Sequence, residues 1–343
     1  MLDDLKYIHE KDVVGTLDLA SRQWKQLLEE FTPTITPKFG QINNVVFAGM
    51  GGSALAAEIV KDGLSVPFQI VRNYDIPPYV GKNTLFFASS YSGNTEETIE
   101  ALSQAEAKGA QIVVIAAGGK LQQIAAEKNL PFYLLPTVDQ PRYAVFYSFK
   151  ATLTVLATAG LMQMDEITAQ LTEATQFLEQ EVKKWAPEVP TDKNPAKQLA
   201  QELVGKSVVV YAGPKMWPAA YKWKISCNEN AKQIAWTNQL PEFNHNEFIG
   251  WSKQPTDKPY AVIDLRSNLE HPRVQKRFEV TARLLSGMRP EPHVVEIQGD
   301  TPAKQILWAI TYGDFVTLYL ALLNGLNPAP VDLVERFKKA LDE

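Results

Sequence analysis

Residues 84–108 constrain the fold most. Thr84-Leu85-Phe86-Phe87-Ala88 is a short apolar run that reads as a buried strand. Glu96 to Lys108 follows with Ile99, Leu102 and Ala105 at helical spacing. The turn between them carries Ser89, Ser90, Ser92 and Thr95, and Gly93-Asn94 lets it take positive φ. A strand–turn–helix of this kind points free backbone N–H groups above the turn, where the helix dipole favours an anion. Serine and threonine add donors without bulk. An ordinary N-cap needs one hydroxyl, and this turn has four, so the expectation is a phosphate cradle.

The same passage recurs along the chain. Asn44-Val45-Val46-Phe47-Ala48 runs into Gly49-Met50-Gly51-Gly52-Ser53 and then a helical stretch from Ala54. Phe68–Val71, Gln111–Ala117 and Pro131–Leu135 complete five short apolar runs alternating with helical segments. That alternation predicts α/β architecture with a parallel, doubly wound sheet and ligands beyond the carboxyl ends of its strands. Residues 1–40 read as one or two helices ending near Pro33 and Pro37, with Trp24, Leu27 and Leu28 as the apolar stripe. Residues 149–186 read as one long helical stretch, and Pro187, Pro190 and Pro195 mark a loose boundary. Ser207–Gly213, Tyr260–Leu265 and His293–Ile297 then repeat the strand theme, followed by a helix from Lys304 to Leu323. A chain of 343 residues exceeds one usual core. The expected division is 1–150 as a first domain with leading helices, 151–200 as a helical connector and 201–343 as a second domain.

Net charge is −5, which argues against general nucleic-acid or membrane binding. The single cysteine, Cys227, excludes an internal disulfide and fits a reducing compartment. The N-terminus is acidic and polar, unlike a secretory signal. A cytoplasmic protein is expected. Gly49-x-Gly51-x-x-Ala54 also fits a dinucleotide fingerprint, with Asp75 about 20 residues on. A dinucleotide has no use for a second hydroxyl-rich cradle two strands later, so one small sugar phosphate gripped from neighbouring strands is the better fit.

The Gly49–Ser53 and Ser90–Thr98 segments resemble the sugar-isomerase (SIS) domain. With Asn228-Glu229-Asn230-Ala231-Lys232, then Asn244-His245-Asn246-Glu247, then Pro330 to Lys338, the chain resembles the bifunctional phosphoglucose/phosphomannose isomerases over nearly its whole length. The resemblance implies two SIS domains, each a five-stranded parallel sheet flanked by helices, and a homodimer. It implies aldose–ketose isomerisation of glucose 6-phosphate and fructose 6-phosphate through a cis-enediol. Ser53, Ser90, Ser92 and Thr95 would bind the phosphate, with the Gly51 and Gly52 backbone beside the substrate. Arg142 would face the reacting carbons, where a planar guanidinium suits an enediolate. Glu229 would be the base, His245 would help open the ring from across the dimer interface, and Lys338 would lie by the ring oxygen. In the family a threonine near this lysine has been tied to mannose 6-phosphate, and none stands between Leu326 and Lys338. No two histidines are close enough in sequence to suggest a metal pair, and no cofactor is expected. Cys227 reads as a packed apolar residue. The alternatives are a sugar-phosphate-sensing SIS protein, for which no basic DNA-binding head is visible, and a nucleotide-dependent enzyme using the Gly49 turn.

Overall fold

The computed structural model describes residues 1–253 and 259–341, with the side chains of residues 335, 338 and 339 outside the described set. The chain forms two compact units, Gln23–Thr175 and Met1–Arg22 with Gln176–Glu343. Helices α1 (Leu5–Lys11) and α2 (Thr16–Arg22) thus belong with the C-terminal half. Asp12 joins them by accepting from the N–H groups of Thr16 and Leu17 at 2.7 and 2.9 Å. A 3-10 turn, Gln23–Leu28, follows and opens the other unit. There Gln23, Gln26 and Leu27 are buried while Leu28 is exposed, so the stripe expected from Leu27 and Leu28 is rotated. The tighter 3-10 winding moves successive side chains by more than an α-helix does.

The Gln23–Thr175 unit carries β1 (Asn44–Ala48), α3 (Gly51–Val60), β2 (Phe68–Val71), β3 (Thr84–Ser89), α4 (Glu96–Ala107), β4 (Gln111–Ala116), α5 (Gly119–Glu127), β5 (Phe132–Leu134) and α6 (Val145–Thr158). All pairings are parallel, in the order β2-β1-β3-β4-β5. β3 is buried along its whole length, as a central strand covered on both faces must be. Each large apolar side chain such as Phe86 or Phe87 contributes about 1.5–3 kcal/mol by leaving water. The five strands expected from the sequence are these five. The long stretch expected over 149–186 is broken: α6 ends at Thr158, Gly160 takes φ +72°, and α7 (Met164–Glu181) starts afresh. Residue 150 falls inside α6.

The other unit continues with α8 (Pro195–Leu203), β6 (Ser207–Ala212), α9 (Trp217–Glu229), β7 (Ala235–Gln239), α10 (Glu247–Trp251), β8 (Tyr260–Arg266), α11 (Pro272–Leu284), β9 (His293–Glu296), α12 (Pro302–Leu323) and α13 (Asp332–Leu341). Residue 200 falls inside α8. Its sheet is parallel, in the order β7-β6-β8-β9. The expectation of five strands here is corrected to four among the described residues. After β9 the chain enters a 22-residue helix instead of returning to the sheet edge. α12 is long and apolar enough to cross a membrane by length alone, but 94% of its apolar window is buried in the unit. It is the unit's core helix, largely apolar because it is enclosed.

Candidate active site

The cup begins at two adjacent strand ends. A Cβ on Gly49 would lie 2.8 Å from the Ser89 carbonyl oxygen, so only glycine lets the β1 corner lie against the end of β3. α3 starts at Gly51, with φ +48° and no side-chain cap from Met50. Ser53 Oγ accepts from the Tyr91 N–H at 3.1 Å, which ties the α3 corner to the β3 corner and leaves the hydroxyl proton to donate. Gly52 faces the start of α6 at Val145, at 3.9 Å from Cβ position to Cγ2.

Three hydroxyls of the β3 corner converge. Ser90 Oγ lies 2.7 Å from Thr95 Oγ1 and 3.5 Å from Ser92 Oγ. Thr95 stands at the N-cap of α4 yet makes no capping bond; its hydroxyl pairs with Ser90 instead. The Thr95 side chain is thus not an ordinary N-cap. The turn is braced from below: Asn94 Oδ1 accepts from the Lys120 N–H at 3.0 Å, and the Leu121 N–H donates to the Gly93 oxygen at 2.9 Å. Gly93 and Gly119 both hold positive φ, at +68° and +73°.

Tyr91 fastens the next segment. Its hydroxyl accepts from the Val138 N–H at 2.6 Å and donates to the Pro136 oxygen at 3.1 Å, and burial pushes the phenol pKa upward. That segment runs into the 3-10 turn Pro141–Tyr143, where Arg142 is buried and its Nη2 donates to Gln140 Oε1 at 3.0 Å. Tyr91 and the Gly118-Gly119 pair were not singled out from sequence. The glycine pair was the available signal. Asp75, the acid of the dinucleotide alternative, is exposed and four residues past the end of β2.

The other expected residues belong to the second unit. Glu229 is the last residue of α9 and is partly buried. Its motif neighbours hold the helix end. Asn228 Oδ1 accepts from the Ala235 N–H at 3.1 Å, starting β7, and Asn230 donates to Thr317 on α12 at 3.0 Å. Lys232, at φ +52°, folds its ammonium onto the carbonyl oxygens of Glu229 and Pro328, each at 2.9 Å. A cation there complements the negative end of the helix dipole. His245 is exposed at the end of the 3-10 turn Glu242–His245. Asn244 anchors that turn to Thr281 of α11 at 2.9 Å, Asn246 donates to Glu242 at 3.1 Å, and Glu247 accepts from Tyr211 and Asn238. The motif thus spends its flanking residues on holding the histidine outward. Lys338 lies in α13, and its side chain is outside the described residues. Cys227 is fully buried, which pushes its thiol up to about 12 and makes it a packing residue.

The second unit has its own strand–glycine–helix corner, and it is filled. Glu270 Oε1 accepts from the N–H groups of Lys215 and Met216 at 2.9 and 3.3 Å, just before α9. A Cβ on Gly213 would lie 2.8 Å from Glu270 Cγ. Burial raises the pKa of this carboxyl, and the two backbone donors oppose the rise. Glu270 sits on the loop after β8, in the place that the serine turn occupies after β3 in the other sheet.

Residues 38–162 match the SIS domain model, and residues 192–341 match the bacterial phospho-glucose isomerase C-terminal SIS domain model. The chain is 33% identical to a bifunctional phosphoglucose/phosphomannose isomerase of Caldicellulosiruptor bescii, over 90% of this chain and 93% of that one. It is 30% identical to the enzyme of the same name from Aquifex aeolicus, over 93% and 94%. It is 31% identical to a D-glucosamine-6-phosphate 4-epimerase of Sulfolobus acidocaldarius, over 70% and 74%. A glucose-6-phosphate isomerase like protein from Thermus thermophilus shares the fold, with a TM-score of 0.67, 19% identity and 98% of both chains covered.

Proposed function

The chain belongs to the bifunctional phosphoglucose/phosphomannose isomerase family, and on that premise we propose that it interconverts glucose 6-phosphate and fructose 6-phosphate, and mannose 6-phosphate with them. The hydroxyl cup carries the reading: Ser90 and Thr95, 2.7 Å apart, are turned toward each other instead of serving the helix cap. Ser53, Ser90, Ser92 and Thr95 then hold the phosphate, with the Gly51 and Gly52 backbone beside it. In the open-chain sugar, Glu229 takes the proton from C2 of the aldose. The C2–H electron pair becomes the C1–C2 double bond of a cis-enediolate, and the carbonyl pair moves onto O1. Return of the proton to C1 and movement of the hydroxyl proton from O2 to O1 give the ketose. Arg142 holds the charge on the enediolate oxygens. His245 delivers the proton that opens the ring.

In this reading the enzyme is a homodimer in the cytoplasm, and its exposed His245 serves the active site of the partner subunit. Lys338 stands by the ring oxygen. The test is a coupled assay on purified protein with all three hexose 6-phosphates, without added metal or nucleotide. Turnover of glucose 6-phosphate to fructose 6-phosphate is expected. Turnover of mannose 6-phosphate separates the full family activity from its phosphoglucose half. Epimerisation of glucosamine 6-phosphate at C4, with no ketose formed, would overturn the reading.

A further inference from the structure

α9 carries a line of polar side chains along an otherwise apolar contact. Lys222, Ser226 and Asn230 stand at i, i+4 and i+8, so they share one face. All three are buried, and so are Asp314 and Thr317 on the facing side of α12. Lys222 Nζ is paired with Asp314 Oδ1 and donates to Ser226 Oγ at 2.6 Å. Ser226 Oγ donates to the same Asp314 oxygen at 2.7 Å, and Asn230 donates to Thr317 Oγ1 at 3.0 Å. Beside this line the Trp223 indole donates to the Ala309 oxygen at 2.8 Å. It lies so close to α12 that a Cβ on Gly313 would be 2.6 Å from Trp223 Cδ1.

A fully buried ion pair is weak evidence of stability, because apolar residues of similar volume serve as well or better. What it does supply is register. Sliding α9 by one turn, about 5.4 Å, would part Lys222 from Asp314 in the dry interior. Rotating it would do the same. Glu229 is three residues past Ser226 and one before Asn230, so its direction is set by the same rotation. We propose that Lys222 and Asp314 are positioning residues for Glu229: the pair fixes the turn and rotation of α9 on α12 and so aims the carboxylate. This rests on the reading of Glu229 as the base.

The test replaces the pair with apolar residues, Lys222→Met with Asp314→Leu, beside Glu229→Gln in the native chain. The double variant should keep its Tm yet lose about 10²-fold in kcat, the scale of a misplacement near 1 Å, with KM little changed. Its acid limb in kcat/KM against pH should move, because the carboxylate has new surroundings. Full kcat in the stable double variant, with Glu229→Gln inactive, overturns the positioning role and leaves the base in place. If Glu229→Gln keeps turnover, the base reading falls. A crystal structure of the double variant then decides the rest: α9 shifted on α12 supports the register role, and α9 unmoved overturns it. Should the double variant not fold, Lys222→Arg carries the test, since it keeps the charge and alters its reach. A fall in kcat at unchanged Tm supports the role, and an unchanged kcat overturns it.

Discussion

The carbonyl carbon of Gly118 lies 2.8 Å from the place where Gly93 would carry a Cβ. The serine turn and the loop that enters α5 are therefore in backbone contact. Gly93 also holds φ +68°, which side chains rarely adopt.

Gly93→Ala should push the turn off its brace. The expected outcome is a loss of about 1–3 kcal/mol in stability from the strained backbone. A rise in KM for fructose 6-phosphate should accompany it, larger than that of a distant variant with equal loss of stability. Denaturant unfolding and steady-state kinetics measure the two.

Thr95→Ala removes one hydroxyl of the 2.7 Å pair and leaves the α4 cap as it was, since that side chain makes no capping bond. A hydrogen bond to a charged group is worth about 1.5–3 kcal/mol, so inhibition by inorganic phosphate should weaken by about 10- to 100-fold. The Tm should barely move. Unaltered phosphate inhibition would remove Thr95 from the cup.

Glu229→Gln and His245→Ala should each lose about 10²-fold or more in kcat while still binding substrate. Mixed and allowed to re-pair, the two inactive proteins should recover about a quarter of native activity. Half of the dimers are then mixed, and each has one site with both native residues. If both residues come from one subunit, every site keeps a defect and mixing restores nothing.

His293 opens β9, and burial lowers its pKa below the ordinary histidine value, with the charge of Lys206 acting in the same sense. The folded chain thus prefers the neutral ring. The stability tied to it is full above the unfolded pKa, about 6.5. It is lost as pH falls through the folded value, because the unfolded chain binds the proton first. Tm measured from pH 8 downward should fall more steeply in the native protein than in His293→Gln.

Most of the fold was legible because buried parallel strands announce themselves as short apolar runs. Val45–Ala48 and Leu85–Ala88 carry nothing else. β7 carries Trp236, Thr237, Asn238 and Gln239 on a half-exposed sheet edge, so it has neither an apolar run nor a clean alternation and was missed. The break after Thr158 was missed because Gly160 is a single breaker between two good helices. The cup was legible from its excess of hydroxyls. Its braces were not: Tyr91 acts through contacts with residues distant in sequence and nothing local marks it, and the Gly118-Gly119 pair is a local signal that went unread. Glu270 was invisible for the same reason, since Ser267-Asn268-Leu269-Glu270 reads as a solvated loop.

That glutamate has a consequence for stoichiometry. The two sheets share the order of four strands, yet one of the two mouths is stoppered by the chain's own acid, bound to the amides of Lys215 and Met216. Inorganic phosphate added in excess should saturate at a single equivalent per polypeptide, however alike the halves look in outline.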